Sequence, residues 1–144
     1  MNAALSQRVK TVRVVNATAA GTSDINGSTL DMAGYDSVRF IALLGTLTAT
    51  QVTLLKAQQG DASNLSDAAD ITGATTTAAG DSDGNKMLIL DVVRPQKRYV
   101  RCVVDRGTAN AVVDGVIAEL YNARVEAITA DTTVSQQAIS VPTA

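Results

Sequence analysis

The run Lys86-Met87-Leu88-Ile89-Leu90-Asp91-Val92-Val93, the connection Arg94-Pro95-Gln96-Lys97 and the run Arg98-Tyr99-Val100-Arg101-Cys102-Val103-Val104 together decide the fold. Both runs are short, rich in β-branched residues and bounded by turn residues, which is the pattern of strands rather than helices. The connection between them is too short for a helical crossover, so the two read as antiparallel neighbours. A third strand follows over residues 111–121, after Asp105-Arg106-Gly107-Thr108-Ala109-Asn110.

The same pattern extends upstream. Residues 37–44 place Val38, Phe40, Ala42 and Leu44 on one face, with a second face that is apolar beyond Arg39, as in a central strand. Residues 51–58 repeat it, with Thr favouring strand over helix at position 53, and residues 9–15 form a first strand with a cationic outer face. Between these, residues 16–34 read as loop, with Asn26-Gly27 as a turn and a short strand over 28–32. Residues 59–85 read as surface loop interrupted by a strand over 68–72. The sum is seven or eight antiparallel strands in an all-β jelly roll or β-sandwich, one domain over residues 1–144. Residues 1–15 are expected as an N-terminal strand or arm and 122–144 as an extended C-terminal arm. A short helix over 121–127 and a frayed tail are the other readings of that last segment.

Composition narrows the chemistry. The chain has 144 residues, 3 % aromatic, no His, no Trp and one Cys, so its core must be filled by Val, Ile, Leu and Ala. Without His, imidazole ligation of metal and Ser-His hydrolysis are unavailable. Cys102, inside an apolar run and without a His partner, reads as a core residue. A net charge of −2 supplies no bulk cationic field for nucleic acid or an anionic membrane. The N-terminal residues lack a basic region followed by an apolar stretch, and no run reaches about 18 apolar residues, so a soluble protein of cytosolic synthesis is expected.

Few motifs carry chemistry. Asp81-Ser82-Asp83-Gly84-Asn85 has oxygen donors at alternate positions but lacks the later Glu of a calcium loop and adjoins Lys86, so a hairpin turn competes with a cation site. Asp91, Asp105, Asp114 and Glu119 are the carboxylates on the last three strands, and Asp114 and Glu119 are expected on opposite faces because five residues is an odd separation. No phosphate-binding glycine loop occurs. No catalytic residue, cofactor or metal site is assigned, and an enzyme is not expected.

One charge concentration stands out. Arg94, Lys97, Arg98, Arg101 and Arg106 gather five of the twelve positive charges into thirteen residues. Pro95 stops the preceding strand and offers Arg94, Lys97 and Arg98 at a sheet corner, with Arg101 further along. Three readings compete: neutralisation by Asp91, Asp105 and Asp114 on neighbouring strands, docking onto an acidic protein surface, and nucleic-acid binding, for which only Tyr99 could supply a stacking ring.

The order of segments adds a resemblance. Tyr35-Asp36-Ser37-Val38-Arg39-Phe40-Ile41, Val52-Thr53-Leu54-Leu55-Lys56-Ala57-Gln58-Gln59-Gly60-Asp61, Lys86-Met87-Leu88-Ile89-Leu90-Asp91-Val92, Arg94-Pro95-Gln96-Lys97-Arg98-Tyr99-Val100-Arg101 and Asn110-Ala111-Val112-Val113-Asp114-Gly115-Val116 resemble small jelly-roll cement, or decoration, proteins of short-tailed bacteriophage heads. The resemblance covers residues 35–121, and the Arg-Pro-x-Lys-Arg-Tyr-x-Arg segment is its most specific part. It implies a virion protein on the capsid exterior that binds the phage major capsid protein and clamps neighbouring capsomers, without a cofactor, nucleic acid or membrane. It also makes Arg94, Lys97, Arg98 and Arg101 the candidate contact set. A head-completion or head-tail junction protein and a host-surface adhesin module are the alternative roles, the latter disfavoured by the lack of aromatic sugar platforms. Unpaired sheet edges make a homo-oligomer, a dimer first, the expected assembly.

Overall fold

Alternation of apolar and polar residues produces two five-stranded antiparallel sheets stacked as a β-sandwich, in a computed structural model that describes residues 4–142. The strands are β1 (Lys10–Val15), β2 (Thr18–Gly21), β3 (Ile25–Asn26), β4 (Leu30–Asp31), β5 (Tyr35–Leu47), β6 (Val52–Gly60), β7 (Ala69–Thr75), β8 (Met87–Val93), β9 (Tyr99–Gly107) and β10 (Ala111–Ala123). The first sheet has the order β1-β10-β5-β8, with β2 also on β10, and the second has β3-β9-β6-β7, with β4 also on β9. The all-β sandwich is as the sequence indicates, and its strand count rises to ten because the 16–34 stretch contributes three short strands instead of one.

The core lies between the sheets. Val12 and Val14 of β1, Val38, Phe40 and Ala42 of β5, Leu90 and Val92 of β8 and Val116, Ala118 and Leu120 of β10 meet Leu55 and Ala57 of β6 and Val100, Cys102 and Val104 of β9. These are the inward positions that period-two alternation assigns. Cys102 is fully buried, and burial pushes its thiol up to about 12, so it packs as a small hydrophobe.

Asn26-Gly27 does not make the expected turn. Gly27 N–H donates to the Cys102 carbonyl of the second sheet (2.8 Å), and Ser28 N–H donates to the Val14 carbonyl of the first (2.9 Å). Two consecutive residues thus bridge the sheets. Glycine is required by proximity: a Cβ at position 27 would lie 2.6 Å from Cys102 Sγ and 3.2 Å from its carbonyl oxygen.

A bulge corrects a second expectation. The β10 register shifts between Val113 and Gly115, where Gly115 has φ +151, a conformation in practice confined to glycine. The extra residue reverses the parity of the strand, so Asp114 and Glu119 both point outward, as the burial pattern of β10 records. Counting residues alone gives opposite faces because it assumes an unbroken pleat.

Arg106 is also relocated. It is 7 % exposed and points inward, donating from Nε to the Ser23 carbonyl (2.8 Å) and from Nη1 to the carbonyls of Ala19 (2.9 Å) and Ala111 (2.7 Å). It belongs to the framework rather than to the basic corner.

Both chain ends are partly built into the first sheet. β1 pairs with β10 from Lys10↔Leu120 to Val15↔Val116, so only residues before it retain the character of an arm. Residues 121–123 extend β10 rather than starting a helix. Beyond them the chain runs along the outer edge of β1: Ile128 N–H donates to the Gln7 carbonyl (3.2 Å), Arg13 N–H to Thr133 Oγ1 (3.0 Å), and Lys10 pairs with Asp131 (3.5 Å). Residues 1–3 and 143–144 of the expected arms lie outside the described residues.

Replacing Gly27 with Ala is expected to lower unfolding stability by about 1–3 kcal/mol through overpacking. In a urea double-mutant cycle with Cys102→Ala the two losses should be less than additive, because removing Sγ relieves part of the clash. Full additivity would mean that the clash lies with the backbone alone.

Candidate protein interface

The basic corner is a rigid turn that crosses from β8, at the edge of the first sheet, to β9, in the second. The two runs are therefore not the antiparallel neighbours that the short connection indicates, because a four-residue turn here changes sheets and leaves β8 paired with β5 and β9 with β6. Arg94 leaves β8 with φ +53, and its N–H donates to Ser37 Oγ (3.2 Å). The Gln59 carboxamide oxygen, at the end of β6, then accepts from Gln96 N–H (2.9 Å) and Lys97 N–H (3.2 Å). One side chain therefore fixes the turn to the second sheet, while Met32 N–H donates to the Arg98 carbonyl (2.8 Å) and ties it to the chain after β4.

The cations have local partners, but not the expected ones. Lys97 Nζ meets Asp61 Oδ2 at 2.8 Å, and Arg98 makes a two-pronged contact with Asp31, both bonds 3.0 Å. The Arg98 guanidinium also lies 5.3 Å from the Tyr99 ring centroid. Asp61 and Asp31 arrive from strand ends whose placement depends on the register pairs Gly60↔Tyr99 and Asp31↔Tyr99. Asp91, the nearest expected partner, instead accepts the Tyr121 hydroxyl at 2.5 Å on the outer face of the first sheet. Asp105 and Asp114 make no ion pair among the described residues.

The expected set also divides. Arg94, Lys97 and Arg98 share the corner, whereas Arg101 stands on the outer face of the second sheet, donating to Gln58 Oε1 (2.9 Å). Gln58 in turn donates to Asp70 (2.8 Å), which also pairs with Lys56 (3.2 Å). Arg101 is thus part of a polar row across β9, β6 and β7. The sequence alone does not point to Arg124, whose N–H donates to the Gly34 carbonyl (2.9 Å). With Lys97, Arg98 and Pro95 it lines an open depression of about 360 Å3. Among the described residues the side chains of Arg94 and Arg124 make neither a hydrogen bond nor an ion pair.

The exposed pairs are weakly held. Lys97 and Arg98 keep 46 % and 59 % of their side-chain surface in water, where such pairs contribute about 0–1 kcal/mol. They are therefore exchangeable for carboxylates on another surface.

A second polar cluster lies on the outer face of the first sheet, in the register row Asp91↔Arg39↔Glu119. Arg39 holds Glu119 at 2.6 Å, and Tyr121, its phenol pushed up by burial and by Asp91, donates to Asp91. With Leu5 and Arg8 these groups line a cavity of about 510 Å3. Both carboxylates already carry a donor.

The acidic loop is a locked turn. Asp83 accepts Gly80 N–H (2.8 Å) and pairs with Lys86 (2.8 Å), and Asp81 accepts Thr50 N–H (3.0 Å). Among the described residues no group of three or more acidic or Cys side chains gathers to hold a metal ion. No protein-family model, curated protein or solved structure matches the chain.

The Arg98 fork holds the Asp31 carboxyl below its ordinary value of 3.8. Because the fold favours the ionised form, the pair stabilises above that value, and its contribution falls away as the pH drops through the lowered folded value. In a carboxyl-detected NMR titration Asp31 should titrate below 3.8, and Arg98→Ala should move its midpoint up toward the ordinary value. An unmoved midpoint would assign the shift to the Ala33 N–H, which also donates to Asp31.

Proposed function

We propose that the protein is a structural virion component that binds the outside of a bacteriophage capsid shell and secures contacts between coat-protein capsomers. One observation carries the reading: the Arg-Pro-x-Lys-Arg turn is locked by Gln59 and holds Arg94, Lys97 and Arg98 exposed at one end of the sandwich. Arginine forks on a rigid support suit carboxylates of an acidic partner, since little conformational freedom is lost on docking. Lys97 and Arg98 would exchange weak intramolecular partners for coat-protein carboxylates, and Arg94 and Arg124 would add charges whose side chains have no partner among the described residues. The resemblance of residues 35–121 to cement proteins of short-tailed phage heads names the major capsid protein as that partner. This role needs stable, repeated surface contacts and no chemical transformation.

Purified protein should co-sediment with expanded shells that lack it, saturably and in hundreds of copies. The triple variant Arg94→Ala/Lys97→Ala/Arg98→Ala, its fold checked by circular dichroism, should bind at least about tenfold more weakly, as should the parent protein at high salt. Copies in the tens confined to one vertex would replace the cement role with a head-completion or junction role. Absence of shell binding, or glycan binding in its place, would overturn it.

A further inference from the structure

β8 forms one border of the first sheet, and among the described residues no strand pairs with its outer edge. Leu44 N–H donates to the Lys86 carbonyl (2.9 Å), and β5 and β8 pair from Ser37↔Val93 to Leu43↔Met87 without a register break. Hydrogen-bonded pairs alternate along an antiparallel ladder. Leu88, Leu90 and Val92 therefore turn their backbone groups to β5, while Met87, Ile89, Asp91 and Val93 turn theirs outward. Among the described residues β8 pairs with no strand but β5. Only Asp91 is charged along this edge, and Met87, Ile89 and Val93 are exposed, so it lacks the run of charges that ordinarily blunts a free strand.

A second segment lacks a partner. Residues 135–142 are exposed throughout and make no hydrogen bond or ion pair among the described residues. The segment Ser135-Gln136-Gln137-Ala138-Ile139-Ser140-Val141-Pro142 carries no charge, and its two large apolar side chains alternate at Ile139 and Val141. Val141 is 84 % exposed.

We infer that residues 138–142 of one copy pair as an added strand with the outer β8 edge of a second copy. The parity fits. Placing Ile139 and Val141 beside the outward-turned positions of β8 puts their side chains on the same face as Met87 and Ile89 and points their backbone groups into the new ladder. Pro142 then falls where an N–H would face solvent, which is where a strand tolerates proline.

The same chain cannot supply this strand. Arg13 N–H donates to Thr133 outside β1, so the segment departs from the opposite border of the sheet. From there to the outer side of β8 is five strand spacings, about 24 Å at ~4.8 Å each, whereas the five steps from Val134 to Ile139 span about 17 Å.

A second copy removes the distance. The outer face of the first sheet carries Ile41, Leu43, Met87, Ile89 and Ile117 in adjoining register rows. Two such faces stacked about an axis parallel to the strands set β1 of each copy over β8 of the other, about 10 Å away. Residues 135–137 are enough to cross that gap. The arrangement is independent of what the basic corner binds.

Site-directed cross-linking tests it. Ile89→Cys chains mixed with Ile139→Cys or Val141→Cys chains should form a covalent mixed dimer under mild oxidation, with the fully buried Cys102 silent. In sedimentation the parent protein should be a dimer, and both Ile89→Pro and Ile139→Pro/Val141→Pro should raise its dissociation constant at least about tenfold while thermal unfolding shows a retained fold. The inference is overturned by a monomeric parent at about 0.1 mM, by dimerisation unchanged in the arm variant, or by a disulfide forming within one chain of Ile89→Cys/Ile139→Cys.

Discussion

Consecutive N–H groups of Gly27 and Ser28 donate to opposite sheets, and the rest of the sandwich depends on the close approach they enforce. The core between the sheets is filled mainly by Val, Leu and Ala, with Phe40 its one Phe. Such side chains meet only if the sheets lie near each other, and a gap of even a methyl radius forfeits much of their dispersion energy. A residue without Cβ at position 27 is what lets the connecting chain pass against Cys102. The buried Arg106 does related work at another point, since its guanidinium collects carbonyls from β2, from the β2–β3 connection and from β10. Its Nε and Nη1 groups are held by neutral carbonyls, so the buried charge is anchored without a carboxylate.

The long strands were legible because burial on one face writes a period of two into the sequence. Val38, Phe40, Ala42 and Leu44 all face the core. β4 was anticipated within 28–32, but β2 and β3 were not legible, because strands of two to four residues carry no period and exist by pairing with longer neighbours, β10 and β9. β7 was anticipated over 68–72 and runs from Ala69 to Thr75, after which Thr76 and Ala79 N–H groups still donate to β6 carbonyls. The stretch after Gln59 is therefore less of a loop than its composition indicates. At Gly115 the failure has a different origin, since a bulge changes the side of every later residue without changing the composition that identifies a strand.

The basic corner was visible as a turn and opaque as a site. Pro95 and its charged neighbours mark a strand ending in a cationic connection, and that part depends on local chemistry alone. The identity of the carboxylates depends on which strand ends are brought beside it, which a single sequence does not encode locally. Asp31 lies far from Arg98 along the chain, and Asp61 reaches Lys97 only because β6 and β9 end together. Arg101 and Arg106 look like members of the same cluster because they are close in sequence, yet alternation and burial send one to a sheet face and the other inside. Arg124 lacks any local signal and joins the corner through a backbone hydrogen bond.

β5 and β10, each of 13 residues, form the longest pairing in the molecule, running from Ala123↔Tyr35 to Ala111↔Leu47. Antiparallel hydrogen bonds lie across the strand direction. Tension applied along the strands therefore loads the rungs of this ladder in shear and together, whereas tension across them opens the rungs one after another. The sandwich has a strong mechanical axis and a weak one, and the strong axis lies along the β5–β10 seam at the centre of the first sheet.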